Sequence, residues 1–481
     1  MQEDEEMISA STDHIELESE NREVQEDQQI EMEVINKVVG IEDSYEVLQR
    51  PSTSNTNIIW GPVEQSFTPR KSVSLPRVCR SSNLFSSDSK PLDIFLKFFP
   101  KSLINYIALN TNLRIDKARS QVGDRDARAR KRSYMTATDG GEIMIVLGCT
   151  LIMGYNQLPS FSDYWSTKPS LGNAVIKAAI SRDREDSYIQ SIDESMTKFK
   201  GRSCLKQYMP MKPTNRGIKI WVRADATTGY AYDMNVYVGR DSNATMLRQT
   251  QEMTLGENVI RTLSATIENP DTTLCFDRFF TSVTLMNTFE FACVGTCNVS
   301  RKNMPKICPG QKFKQGEMAF VENGHGTIAA RWQDTKDVVI MSNCHDATRT
   351  EVQRKLKNGI TIPVPAPEMV AFYRRAMGGV DRNDRMCGEH EFERKSTKWW
   401  KKVFYRLLKM AVVNSWVIYR EKVNLKCSMK DFMIDLAENM VEYGKNITGN
   451  KRRPVNPMRP TGGVAIRITP SLLNRAYRHD L

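Results

Sequence analysis

Three aspartates in three short, dissimilar settings are where this 481-residue chain could do chemistry. Asp193 lies in Ser191-Ile192-Asp193-Glu194-Ser195, Asp277 in Cys275-Phe276-Asp277-Arg278-Phe279-Phe280, and Asp381 in Gly378-Gly379-Val380-Asp381-Arg382-Asn383-Asp384. A carboxylate is a hard oxygen donor, and several that converge make a site for Mg²⁺, with which proteins cut and rejoin phosphodiester bonds. A single acid in a loop is ordinarily solvated and uninformative. Three anions gathered in one place repel, so a dication is what would make the gathering stable. Asp193 stands 84 residues before Asp277, which stands 104 before Asp381. Only a fold can bring them together.

The elements that would do so are legible as periodicities. Residues 1–90 read as disordered, acidic at first and then rich in Ser and Pro, with too little apolar surface to offset the entropy of ordering. Residues 91–188 read as helical. Leu92, Ile94, Phe95, Phe98 and Phe99 open an amphipathic segment, 140–158 is an apolar helix, and 164–180 carries a further helical pattern. Between them, 117–132 is a basic run containing Arg130, Lys131 and Arg132. It reads equally as a solvated helix face and as a phosphate contact or nuclear import signal.

From 189 the period changes to that of strands. Asp193 falls in an extended segment at 189–199. At 217–226, Ile218, Ile220, Val222 and Ala224 alternate with Lys219, Trp221 and Arg223, and 230–239 returns as the second arm of a hairpin. Helix is expected at 258–268, strand at 273–276 stopping at Asp277, helix at 280–291 and strand at 293–299. The order β-β-β-α-β-α-β, then a small β-rich insertion at 301–365, then a helix at 367–377, is that of an RNase H-like α/β core: a mixed sheet flanked by helices. In that core, carboxylates on the first strand, the fourth strand and a late helix meet at one edge. The expected domains are therefore the disordered 1–90, a helical 91–188, and a core whose first part is 189–300. The insertion 301–365, the last part of the core with C-terminal helices at 366–445, and a basic tail at 446–481 complete them. A basic, aromatic helix pair is expected over 395–419.

Composition narrows the partner. The first fifty residues hold 16 acidic and 3 basic side chains, so against an overall formal charge of +11 the remainder carries +24. A body that basic is matched to a polyanion, and nucleic acid is the leading candidate because Lys and Arg release counterions from phosphates. The bland alternative is a basic surface that keeps the protein in solution. The 10 cysteines fall into no CxxC or framework spacing and the 5 histidines do not cluster, which suits a reducing compartment and leaves no zinc site expected. No apolar run reaches the length of a membrane span, so the expectation is a soluble intracellular protein without membrane partners.

Several of these segments carry a family resemblance. Ile192-Asp193-Glu194-Ser195-Met196, Phe199-Lys200-Gly201-Arg202, Tyr208-Met209-Pro210-Met211-Lys212-Pro213, Phe276-Asp277-Arg278-Phe279-Phe280-Thr281-Ser282 and Gly378-Gly379-Val380-Asp381 with Asp384 resemble the signature of piggyBac transposases and piggyBac transposable element-derived proteins. The resemblance runs over about residues 92–420. It implies a catalytic triad of Asp193, Asp277 and Asp381 holding two Mg²⁺ ions (Mn²⁺ being possible), with Asp384 as a supporting acid. It further implies DNA strand cleavage and transfer at TTAA sites, transposon-end DNA as partner, a homodimer and a nuclear location. Lys200, Arg202, Lys212 and Lys219 would form a phosphate-binding rim beside Asp193, with surface charge as the bland alternative for the last two. Trp399 and Trp400 read as helix packing in preference to base stacking.

Two departures from that pattern stand out. Only residues 185–191 separate the last helical segment from the first catalytic strand, where the family carries a longer helical stretch. No cysteine follows Cys427, so nothing beyond it resembles the family's C-terminal zinc module. Both weigh against full transposition and keep open a domesticated or defective relative that binds DNA without transposing. An unrelated RNase H-like nuclease is disfavoured by Gly378-Gly379-Val380-Asp381.

Overall fold

The computed structural model describes residues 58–73, 85–121, 137–155, 189–210, 212–237, 254–356, 359–390 and 396–448. Arg130, Lys131 and Arg132, the expected helix at 164–180, the acidic first fifty residues and the basic tail beyond 448 lie outside them. In chain order the elements are β1 (Gly61–Pro62), α1 (Pro91–Phe95), α2 (Lys101–Gln121), α3 (Gly140–Tyr155), β2 (Ile189–Lys198), β3 (Lys206–Tyr208), β4 (Arg216–Asp225) and β5 (Ala231–Val236). There follow α4 (Leu255–Ser264), β6 (Thr273–Phe276), α5 (Val283–Thr288), β7 (Ala292–Thr296), β8 (Met318–Glu322), β9 (Ile328–Gln333) and β10 (Asp337–Ser342). Last come β11 (Arg349–Lys355), β12 (Thr361–Pro367), α6 (Glu368–Ala376), α7 (Gly379–Glu389), α8 (Trp399–Lys422) and α9 (Met429–Thr448). Among the described residues no helix is long and apolar enough to cross a membrane.

A ten-stranded sheet organises the molecule, in the order β1-β8-β9-β10-β7-β6-β2-β4-β3, with β5 also on β4. Its centre is the expected α/β core. β2 pairs antiparallel with β4 and parallel with β6, β6 pairs parallel with β7, and β5 returns antiparallel on β4. This is the strand order and direction of an RNase H-like sheet, with helices on both faces. Ile218, Ile220, Val222 and Ala224 of β4 pack towards α7, α8 and the N-terminal helices, while Trp221 packs with Ile192, Leu274 and Phe276 against α4 and α5. The alternation that marked β4 as a strand therefore separates two cores, not core from water. Arg223, on the Trp221 side, is buried and donates to Gln190 and Thr266.

Strands from the insertion continue the same sheet. β10 pairs antiparallel with β7, β9 with β10 and β8 with β9. β11 and β12 form a separate hairpin that docks through Val352, Val364 and Ala366 beside Trp332, whose indole donates to the Pro365 carbonyl at 2.8 Å. Within 1–90, read from sequence as disordered, residues 58–73 are in fact placed on the sheet. Gly61 and Pro62 pair with Glu322 and Val321, the Trp60 indole donates to the Asn303 carbonyl at 3.0 Å, and the Arg70 amide donates to the Gly326 carbonyl at 3.0 Å. An exposed edge strand offers unpaired backbone groups, and this segment covers β8's.

Two helices also differ from expectation. The helix predicted at 280–291 is only α5, because the Phe280 and Thr281 amides close a turn on the Asp277 carbonyl and the Ser282 hydroxyl then caps the Leu285 amide at 3.0 Å. The helix pair expected over 395–419 is the single helix α8 in its described part, with α9 following. α9 lies along α3 so closely that a Cβ on Gly148 would come within 2.9 Å of the Met440 and Val441 side chains, and one on Gly444 within 2.7 Å of Ile145.

Candidate active site

The site begins with a difference in strand length. β6 is in register with β2 through Ser191 opposite Cys275 and Ile192 opposite Phe276, and there it stops. β2 runs on to Lys198. The next step of the register brings Asp193 and Asp277 alongside each other at the end of the shorter strand, one interstrand spacing of about 4.8 Å apart. Beyond it, no strand among the described residues continues β6's pairing along β2.

Each aspartate is held differently. Asp277 caps its own turn: one carboxylate oxygen accepts the Phe279 amide at 2.8 Å, and its carbonyl accepts the Thr281 hydroxyl at 3.0 Å. Asp193 is largely covered, with 13% of its side chain exposed. Asp381 is exposed in the first turn of α7. What sets its height over the sheet is Gly379. A Cβ there would lie 2.5 Å from the Ser191 hydroxyl and 2.6 Å from the Asp225 carbonyl, so α7 starts almost in contact with β2 and β4. A side chain would lift the helix off.

Lys212 fills the notch left by β6. Its ammonium lies 3.2 Å from Asp193 Oδ2, donates to the Glu194 carbonyl at 2.9 Å, and sits 4.0 Å from Glu194 Oε1. Burial, above all, pushes the Asp193 carboxyl up to about 7; Lys212 opposes the rise, and the Glu194 and Asp277 charges add to it. Burial pulls the Lys212 ammonium down, but Asp193, Glu194 and Asp381 together carry it above its ordinary value. Asp381 therefore acts on the same ammonium as Asp193. Lys219 is nearby as well: burial lowers it most, and Glu194, Asp193 and Asp277 raise it. The corner is rich in negative charge, and two lysines supply the counter-charge at hand.

Among the described residues no three His, Cys, Asp or Glu side chains are gathered closely enough to hold one ion together. The donor chemistry nonetheless fits a hard dication. Asp193, Asp277 and Asp381 present oxygens alone, around a position where a cation, Lys212, is already drawn in.

The other sequence candidates fall into place unequally. Asp384 is ion-paired with Arg406 of α8, so it ties α7 to α8. Lys200 and Arg202 are exposed on the loop after β2. Lys212 is the lysine in direct contact with Asp193, and Lys219, over the Trp221 ring, feels its charge. Trp399 packs on the core at the start of α8. Glu194 and Tyr373 were missed. Tyr373, on α6, stands 3.5 Å from the Thr296 hydroxyl, and burial, with the Asp277 and Asp193 charges adding, drives its phenol well above its usual range. Adjacency to Asp193 could have flagged Glu194; nothing local flags Tyr373.

Comparison with known proteins bears on the family and the fold. A sequence-family profile described as "Transposase IS4" matches residues 90–184 and 186–416. The break falls where the sequence departs from the piggyBac pattern. PiggyBac transposable element-derived protein 2 of Homo sapiens is 24% identical over 390 residues, covering 70% of this chain and 63% of that protein. PiggyBac transposable element-derived protein 3 of Homo sapiens is 22% identical over 332 residues, covering 58% and 55%. The chain thus spans less than two thirds of the length of these relatives. Among solved structures, a cryo-EM piggyBac transposase synaptic complex with hairpin DNA matches with a TM-score of 0.63 at 21% identity, over 79% of this chain and 86% of that one. At that identity the match speaks to the fold alone.

Proposed function

Because the chain belongs to the Transposase IS4 family, with piggyBac transposable element-derived proteins among its relatives, we propose that it cleaves and transfers DNA strands using Asp193, Asp277 and Asp381. The observation that carries this reading is the register of β2 on β6, which sets Asp193 beside Asp277 at a notch whose lysine also feels Asp381. The three carboxylates would hold divalent metal, Mg²⁺ or Mn²⁺, which when bound polarises the phosphate and activates the attacking oxygen. The chain's own groups do the rest. Lys212 and Lys219 neutralise the phosphate that enters the notch. Lys212, leaving Asp193 for that phosphate, frees the carboxylate. The +24 charge of the chain beyond residue 50 holds the duplex. Transposon ends as substrate, TTAA as target, a homodimer and nuclear action complete the proposal.

A second reading, a domesticated or defective relative that binds DNA without cutting it, is favoured by the Lys212–Asp193 ion pair and by the absence of a three-carboxylate group among the described residues. One experiment separates the two. A labelled duplex carrying transposon ends is incubated with the full chain and Mg²⁺ or Mn²⁺, alongside Asp193→Asn and Asp381→Asn. Metal-dependent cleavage lost in both variants supports the first reading. Salt-sensitive binding with no cleavage in any arm removes it and leaves the second.

A further inference from the structure

We propose that Phe279, on the turn that begins at Asp277, is a stacking platform for an unpaired nucleobase flanking the phosphate bound at the notch, with Lys219 as its phosphate contact. The proposal rests on the nucleic-acid reading above and names the state of the substrate: locally unpaired, not simply duplex.

Phe279 is built unlike an incidental surface aromatic. The residue is 37% exposed, yet its ring stacks on the fully buried Trp221 with centroids 5.5 Å apart and planes at 19°. Phe280 meets it edge-on at 5.1 Å and 89°, and meets Trp221 in the same manner at 5.5 Å and 73°. The backbone is fixed on both sides. The Phe279 amide donates to Asp277 Oδ1, while the Arg301 guanidinium donates to the Phe279 carbonyl and, at 3.0 Å, to that of Arg278. A ring so held has lost its conformational freedom before any ligand arrives, which removes a cost that binding would otherwise carry.

The chemistry beside the ring selects the ligand. Lys219 Nζ lies 4.3 Å from the Trp221 ring and 5.4 Å from the Phe279 ring, an ammonium held at the margin of the stack and near Asp193, Asp277 and Glu194. An aromatic face adjoining an ammonium is the pairing that takes a base and its phosphate together, and it tolerates any base because every base has a π-face. The amide bond to Asp277 puts this platform one short turn from a carboxylate of the notch. A base stacked within a duplex could not reach the ring; one unpaired at a strand end or a nick could.

The test uses the full chain without divalent metal, so that binding is read without cleavage. The DNAs are a forked duplex with 2-aminopurine at the unpaired nucleotide next to the junction phosphate, the same fork with an abasic site there, and a fully paired duplex. The wild-type protein is expected to quench the 2-aminopurine and to bind the abasic fork from about five-fold to about a hundred-fold more weakly than the intact one, the range that stacking on a single aromatic supplies. Phe279→Leu is expected to lose the quench and the preference for the fork while binding paired duplex as before; Phe279→Tyr should retain both. Equal affinity for abasic and intact forks overturns the proposal, and because that arm changes the DNA alone it holds even if Phe279→Leu folds poorly. DNA binding without quench or fork preference removes the platform and leaves the DNA reading standing; no DNA binding removes both.

Discussion

Two places in this molecule depend on a glycine that lets one backbone touch another, and they use the contact for different ends. Where α3 crosses α9, Gly148 and Gly444 let two helices approach until side chains meet opposing main chain, amid an apolar cluster. Where α7 starts over β2, Gly379 lets a helix terminus sit on Ser191 and Asp225, amid charge. The first contact buries apolar surface and its cost when disturbed is stability. The second also buries its neighbour Val380, but it sets as well the height at which Asp381 stands over the sheet. Close packing is a source of cohesion in one place and of alignment in the other.

Substitutions should pull the two apart. Gly379→Val is the strongest: a Cβ 2.5 Å from the Ser191 hydroxyl must push α7 outwards, and a displacement on the order of 1 Å at a reacting group costs about 10²-fold in rate. Cleavage per folded molecule should fall by at least that factor, beyond the roughly 1–3 kcal/mol that overpacking this buried position costs; a loss of stability with an unchanged rate per folded molecule would erase the distinction. Acid should act next. His345, buried against Phe372 of α6 with its ring on the Ser342 hydroxyl at 2.8 Å, is pulled down to about 4 by burial. Its imidazole stays neutral in the fold while the unfolded chain takes up a proton below about 6.5, so its contribution to stability falls between about pH 6.5 and 4, against the opposite slope of Asp193, whose raised carboxyl takes up a proton first in the fold. The His345 loss is about 3 kcal/mol, read as the change across that window in the difference between wild type and His345→Phe in urea titrations. Gly444→Val should then cost about 1–3 kcal/mol by overpacking α3, with cleavage per folded molecule unchanged. Smallest is Asp384→Asn, which weakens the pairing with Arg406. It should cost about 1 kcal/mol and leave cleavage within a few-fold, against the complete loss expected for Asp381→Asn three residues away.

How far the site was legible in the chain follows the reach of each interaction. Thr273–Phe276 reads correctly to the residue, because four buried positions end on a charged one and no partner is needed to see it. The same local reading overran α5, whose first turn is taken up by the Asp277 turn, a contact that periodicity does not register. β1 and β3 were missed. Gly61–Pro62 sits in Ser- and Thr-rich sequence and gains order only from β8, and Lys206–Tyr208 is three residues borrowing the end of β4. The lysines show the limit most clearly. Motif adjacency placed Lys200 and Arg202 beside Asp193 and left Lys212 and Lys219 readable as surface charges. The structure puts Lys212, from the connection between β3 and β4, on Asp193, and Lys219, from β4, against Trp221 with Asp193's charge acting on it. Charge in sequence says what is available; register says what arrives.

The early stop of β6 has a consequence for how this chain could change. The sheet counts in twos: a residue gained or lost within Thr273–Phe276 would turn the following side chain to the opposite face. Asp277 would then leave the notch while the strand itself could remain paired. Copying errors that shift this short strand by one would thus silence the chemistry and also turn Leu274 and Phe276 out of the core they share with Trp221, whereas the longer connections around it offer room for length variation. Four residues therefore bind the chemistry of the notch to the packing beneath it.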